Sequence, residues 1–170
     1  IDLMCGLNGL FAYHSSASLP SSAELVATRD HMRARGPDGI GEWWSEDRRL
    51  GLGHCRLSIL DLSERANQPM ASVDRRLLVV FNGEIYNFRD LRADLIERGF
   101  EFRSASDTEV LLAAYDAWGT DCLPRLEGMF AFAVVDEKRR TVFLARDRAG
   151  EKPLFYHLED GTLRFASELK

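Results

Sequence analysis

The sequence predicts an α+β fold, with antiparallel sheets carrying separate helical layers. Three observations lead there. The β-like runs are many and short, and turn residues separate them. The clear helical patterns come grouped, without the regular β-α-β alternation that builds a parallel sheet. There is no internal repeat or low-complexity segment, and 170 residues suit one domain with a single sizeable core.

Taken in order, Cys5 to Tyr13 is apolar with small residues interspersed and reads as a buried strand. Ser21 and Glu24 form a capping box ahead of Leu25, Val26 and Met32, opening a helix of about three turns. Arg35-Gly36-Pro37-Asp38-Gly39 is expected to end that helix, with Gly36 left-handed and Pro37 unable to continue the ladder. Trp43 and Trp44, then Leu50 to Ile59, suggest two strands joined around Glu46-Asp47-Arg48. Leu77 to Phe81 is a β-rich run that stops at Asn82-Gly83, the strongest turn signal in the chain. From Phe88 to Arg98, the residues Leu91, Leu95 and Ile96 mark a helical face that Gly99 closes. Ser106-Asp107-Thr108-Glu109 is a second capping box, leading into Val110, Leu111, Ala114, Tyr115 and Trp118. Met129 to Val135 and Thr141 to Ala145 form a hairpin around Asp136 to Arg140. Pro153 to His157 and Leu163 to Ala166 add two strands around Asp160-Gly161.

Composition narrows the function classes. An apolar share of 45% and a charged share of 29% are ordinary for a globular protein. A net charge of -5 argues against nucleic acid or an anionic membrane as partner, and no apolar run is long enough for a transmembrane helix. Leu3-Met4-Cys5-Gly6 superficially resembles a lipoprotein cleavage box, but with only Ile1, Asp2, Leu3 and Met4 ahead of Cys5 it is not expected to act as one. Cys5, Cys55 and Cys122 make neither a disulfide framework nor a zinc pattern, and this odd count favours a reducing cytoplasm. His14, His31, His54 and His157 lack metal-ligand spacing, so no metal is expected.

The stretch with most chemical promise is Met4-Cys5-Gly6. Once its methionine is removed, Cys5 would carry a thiol and a free α-amine on one residue. An α-amine with a reference pKa of about 7.7–8.0 can take the thiol proton near neutrality. The bland alternative is a buried strand cysteine. Asn82-Gly83-Glu84 offers a side-chain amide beside a backbone N–H, the parts of an oxyanion hole, or equally of a simple β-turn. Arg56, inside an apolar run, either pairs structurally or grips a substrate carboxylate. Asp107 either serves the helix macrodipole or holds a substrate ammonium. Arg146-Asp147-Arg148, Gly150 and Lys152-Pro153 read as a solvated corner with no chemical role. A thiol with its own base, an oxyanion pair, a cation and an anion together suit a free α-amino acid with a hydrolysable side-chain carbonyl, and glutamine is the natural candidate.

On these motifs the chain resembles the glutaminase domain of class II glutamine amidotransferases, within the N-terminal-nucleophile hydrolases, and most closely that of asparagine synthetases. The matches are Met-Cys-Gly at 4–6, Arg-Gly-Pro-Asp at 35–38, Arg-Leu-Ser-Ile-Leu-Asp at 56–61, Asn-Gly-Glu-Ile-Tyr-Asn at 82–87 and Ser-Asp-Thr-Glu at 106–109. Two more are Arg-Asp-Arg-Ala-Gly-Glu-Lys-Pro-Leu-Phe-Tyr at 146–156 and Phe-Ala-Ser-Glu-Leu-Lys at 165–170. The resemblance implies a four-layer αββα sandwich of two antiparallel sheets. It implies that Cys5 attacks glutamine to give a γ-glutamyl thioester and ammonia, with Asn82 and Gly83 holding the oxyanion. Arg56 would take the substrate α-carboxylate and Asp107 its α-ammonium, with Leu57, Ser58, Ile59, Leu60 and Glu84 completing the pocket. No cofactor is expected in this domain. ATP and magnesium belong to a C-terminal synthetase domain, which would receive the ammonia.

Two departures accompany the resemblance. Ala34 stands where the family usually has histidine before Arg-Gly-Pro-Asp. Ile1 to Leu3 and Met4 would block the Cys5 amine, so residues 1–4 are read as extra (a cloning remnant, an early start or a propeptide) and 5–170 as the domain. The chain stops after a strand, as if a following domain had been cut away. Two further readings stay open: a domain that binds glutamine without hydrolysing it, and a purely structural α+β domain.

Overall fold

The computed structural model describes residues 4–58 and 63–169. Its elements are β1 (Gly6–Ala12), α1 (Ser22–His31), β2 (Gly39–Trp44), β3 (Leu50–Arg56), β4 (Met70–Ala71), β5 (Leu77–Ile85), α2 (Phe88–Glu97), α3 (Asp107–Trp118), β6 (Gly128–Asp136), β7 (Thr141–Arg146), β8 (Phe155–Glu159) and β9 (Thr162–Ala166), with 3₁₀ turns at Glu64–Ala66 and Gly119–Arg125. The strands form a five-stranded sheet in the order β2-β3-β1-β9-β8 and a four-stranded sheet in the order β4-β5-β6-β7. Every pairing is antiparallel.

The period-2 side-chain alternation decides the layering. Leu78 and Val80 of β5, with Ala133 and Val135 of β6, face Leu7, Phe11, Leu50 and Leu52 of the other sheet. Their sequence neighbours Leu77, Val79 and Phe81, with Phe130, Phe132 and Val134, point the opposite way into a second cluster with α2 and α3. Strands buried on both faces cannot alternate apolar with polar, which is why these runs are apolar throughout. Helix α1 covers the outer face of the first sheet at β1 and β3. The four layers are thus α1, sheet, sheet and the α2–α3 pair, the expected αββα sandwich. Each fully buried Leu, Val or Phe contributes about 1.5–3 kcal/mol from burial.

Several local expectations are corrected. Helix α1 ends at His31, with Met32 as its cap, before Gly36 is reached. Gly36 is needed for close approach instead: a Cβ there would sit 2.4 Å from the Cys55 carbonyl oxygen. Asn82-Gly83 is no turn. Both residues lie inside β5, opposite Ala131 and Phe130 of β6. Gly83 has φ +155, and a Cβ on it would lie 2.1 Å from the Met129 carbonyl oxygen, so glycine here permits strand contact. Strand β3 stops at Arg56. Ile96 is 54% exposed and does not share the buried face of Leu91 and Leu95. Ser106 caps α3 through the Thr108 N–H, but Glu109 turns to the N–H groups of Arg103 and Ser104. That differs from a reciprocal capping box, because the preceding loop folds back within reach of the carboxylate.

Candidate active site

The site forms where the two sheets meet at one end. Gly6 pairs with Cys55, so the segment entering β1 lies beside the end of β3. There the Leu57 N–H donates to Cys5 Sγ at 3.3 Å. The loop 35–38 braces this segment from the other side. Arg35 Nε donates to the Cys5 carbonyl at 3.4 Å, the Arg35 carbonyl accepts from Met4 N at 3.0 Å, and Glu168 holds the guanidinium at 3.0 Å.

Strand β5 brings Asn82 and Gly83 from the second sheet. His54 of β3 ties the sheets together just before them, its Nε2 lying 3.1 Å from the Phe81 carbonyl. Burial lowers the His54 pKa to about 4, so the ring is neutral, and the carbonyl acceptor requires the proton on Nε2. On the chain's other edge, Gln68 Oε1 accepts from Phe81 N at 2.6 Å.

Asp107, the first residue of α3, accepts the Ile85 N–H through Oδ2 at 3.1 Å, locking the helix start to the end of β5. Burial pushes its pKa up to about 6, and the charge of Glu84 adds to the rise. Arg56 is 8% exposed; its Nη1 donates to the Ser63 carbonyl at 2.9 Å and to Asn67 Oδ1 at 2.7 Å. Burial also raises the Cys5 thiol above its ordinary pKa, against the lowering effects of the Leu57 N–H and the Arg56 charge. At neutral pH the sulfur therefore keeps its proton until a base removes it, and no histidine is among the residues lining the cavity around it.

That cavity holds about 170 Å³ and brings together Cys5, Arg56, Leu57, Asn82, Gly83, Glu84 and Asp107. The volume is below the roughly 300–1,000 Å³ of drug-sized sites and suits a small molecule. Among the expected pocket residues, Ser58 does not line it; its N–H bonds Asp38 at 2.8 Å instead. Ile59 and Leu60 lie outside the described residues. Ala34 is exposed and away from the cavity.

Sequence reasoning missed several lining residues, among them Gln68, Lys152 and Met4. Gln68 is a buried polar side chain with no motif around it. Lys152, read as part of a solvated corner, is 9% exposed and reaches the cavity, and its corner partner Asp147 is 6% exposed. The corner is buried because Asp147 takes backbone N–H groups from Phe130, Glu151 and Lys152, contacts that no local pattern announces. Met4 itself enters the cavity, its Sδ 3.8 Å from Asn82 Nδ2. Among the described residues, no three His, Cys, Asp or Glu cluster as metal ligands, and no helix is long and apolar enough to cross a membrane.

Fold and site together define a sheet sandwich with a cysteine at the mouth of a charged, amino-acid-sized cavity. The chain belongs to the glutamine amidotransferase domain family, whose model matches residues 4–170. It is 41% identical over 169 residues to asparagine synthetase [glutamine-hydrolyzing] 3 of Bacillus subtilis, covering 98% of this chain and 27% of that protein. It is 42% identical over 179 residues to a putative asparagine synthetase [glutamine-hydrolyzing] of Mycobacterium tuberculosis, again covering 98% and 27%. A third relative, amidase chry2 of Gibberella zeae, is 37% identical and matched over 26% of its length. The chain thus spans about a quarter of these relatives. Among solved structures, the B. subtilis glutamine phosphoribosylpyrophosphate amidotransferase shares the fold, with a TM-score of 0.76 at 20% identity over 96% of this chain and 42% of that one.

Proposed function

We propose that this domain hydrolyses L-glutamine to glutamate and ammonia, with Cys5 as nucleophile once it is the first residue of the chain. The observation that carries this reading is the convergence of Cys5, Asn82, Gly83, Arg56 and Asp107 on a single cavity. Arg56 takes the α-carboxylate of glutamine and Asp107 its α-ammonium, fixing the side-chain amide against the sulfur. The α-amine of Cys5 accepts the thiol proton as Sγ bonds to the amide carbon, and the carbonyl π electrons move onto oxygen. The Asn82 amide and the Gly83 N–H receive that oxyanion. Collapse breaks the C–N bond, ammonia leaves with the proton from the α-ammonium, and a thioester remains. Water then adds, giving its proton to the amine, and breaking the C–S bond returns glutamate and the thiol.

This chemistry asks for no metal or cofactor in the domain. The names of the relatives support passing the ammonia to a synthetase domain; we further propose that this C-terminal domain uses ATP and magnesium and takes aspartate as the acceptor. The cytoplasm is the compartment that suits three free thiols. Glutamate release by a chain beginning at Cys5, absent from its Cys5→Ala variant, is the test.

A second reading, a domain that binds glutamine without cleaving it, is favoured by the Met4–Cys5 peptide bond, which leaves Cys5 without an α-amine. Glutamine binding without turnover in the chain beginning at Cys5 would support this reading against hydrolysis.

A further inference from the structure

The proposed chemistry leaves Lys152 without a task, yet the fold places it firmly. Lysine is seldom this deeply buried unless paired. Lys152 is 9% exposed, and among the described residues no carboxylate lies within ion-pairing distance of its ammonium. Its backbone is pinned. Asp147 Oδ2 accepts from both Lys152 N and Phe130 N at 3.1 Å, and Phe130 is the β6 residue opposite Gly83. Burial works against the Asp147 charge, but the N–H donors of Glu151, Lys152 and Phe130 outweigh it and hold the carboxyl below its ordinary pKa, so the corner stays fastened.

From that corner the side chain reaches into the cavity, with Nζ 4.0 Å from Met4 Sδ. The same sulfur lies 3.8 Å from Asn82 Nδ2. Two N–H donors therefore converge on one point, and what occupies it is a thioether, a weak acceptor. A buried ammonium is far better matched by a negative oxygen.

We propose that Lys152 is a catalytic residue whose ammonium, together with the Asn82 amide, stabilises the oxyanion formed when Cys5 attacks the substrate carbonyl. This rests on the glutaminase reading and on Met4 having vacated the cavity. As the S–C bond forms, the π pair moves to oxygen and the Lys152 charge faces it. When the C–N bond breaks, the pair returns and Lys152 has kept its proton throughout. A neutral amide carbonyl gains little from a nearby cation, whereas an oxyanion gains a great deal, so the effect belongs to the transition state.

Glutaminase kinetics on the chain beginning at Cys5 and on its K152M and K152R variants test this, with circular dichroism and thermal melting to check folding. K152M should lose kcat by about 10²–10³-fold with KM within about threefold. K152R, which keeps the charge, should recover at least about a tenth of the parent kcat. Should K152M fail to fold, K152Q carries the same expectation. A kcat within threefold of the parent, a loss confined to KM, or a K152R as slow as K152M would overturn the inference while leaving the glutaminase reading intact. An inactive parent would overturn both.

Discussion

At the scale of single residues, the cavity turns on what precedes Cys5. Met4 donates its N–H to Arg35 and lays its sulfur beside the Asn82 amide, the place required for the substrate oxygen. A chain that retains Met4 is therefore expected to fail on two counts: the Cys5 nitrogen is an amide with no basicity, and the oxyanion site is filled. Isothermal titration should find glutamine binding to the chain starting at Cys5 and at least about tenfold weaker binding to the chain starting at Met4. Asp107 gives a second prediction. A charge-assisted hydrogen bond contributes about 1.5–3 kcal/mol, so Asp107→Asn should raise KM for glutamine about 10- to 100-fold at pH 8, with a smaller effect on kcat. With its pKa raised to about 6 by burial, Asp107 is ionised above that pH and protonated below it. The parent KM should thus climb as the pH drops through 6, while the KM of the Asn variant stays level across the same range. Kinetics between pH 5 and 8 would check this, and parallel KM profiles would remove Asp107 from substrate binding.

At the scale of elements, β5 organises the site. It carries Asn82 and Gly83, is tied to the first sheet by His54, to the chain before β4 by Gln68 and to α3 by Asp107. Gly83→Ala would press a Cβ to within 2.1 Å of the Met129 carbonyl oxygen, a backbone atom that cannot swing aside. Such overpacking costs about 1–3 kcal/mol or more, so the variant should melt several degrees lower and lose glutaminase activity together with stability. A melting curve unchanged from the parent would show that β5 and β6 can part without cost. The same strand explains why Asn-Gly misled as a turn signal. The pair marks turns because glycine tolerates unusual backbone angles, but here it is needed because two backbones touch, and a single sequence does not distinguish these causes. Gly36 misled similarly: its lack of a side chain serves a contact with Cys55 rather than a helix end. The caps at Ser21 and Ser106 and the hairpin of β6 and β7 were legible because local hydrogen bonds and short-range patterning build them.

At the scale of the whole molecule, two buried titratable groups pull stability in opposite directions with pH. His54, held at about 4 against an ordinary 6.5, binds its proton first in the unfolded chain, so acidification from 6.5 towards 4 lowers stability. Asp107, at about 6 against an ordinary 3.8, binds its proton first in the folded chain, so acidification across 6 to 4 raises stability. The two effects oppose each other over nearly the same window. Removing the Asp107 titration with Asn should leave the His54 limb exposed, and the melting temperature should then fall more steeply between pH 6.5 and 4 than in the parent. Curves of equal slope would show that the pair does not balance.

By itself, the amino-acid sequence determined the α+β class, most of the strands and helices, the family resemblance and the five residues on which the proposed chemistry rests. These are matters of local pattern and of motifs kept in order along the chain. The tertiary structure alone decided that Cys5, Arg56, Asn82, Gly83 and Asp107 share a cavity, that Met4 lies in it, and that Lys152 joins them from a corner that reads as solvated. Those outcomes depend on contacts between residues up to 148 positions apart. Burial, the force behind each perturbed charge in the site, exists only once the two sheets have closed on one another.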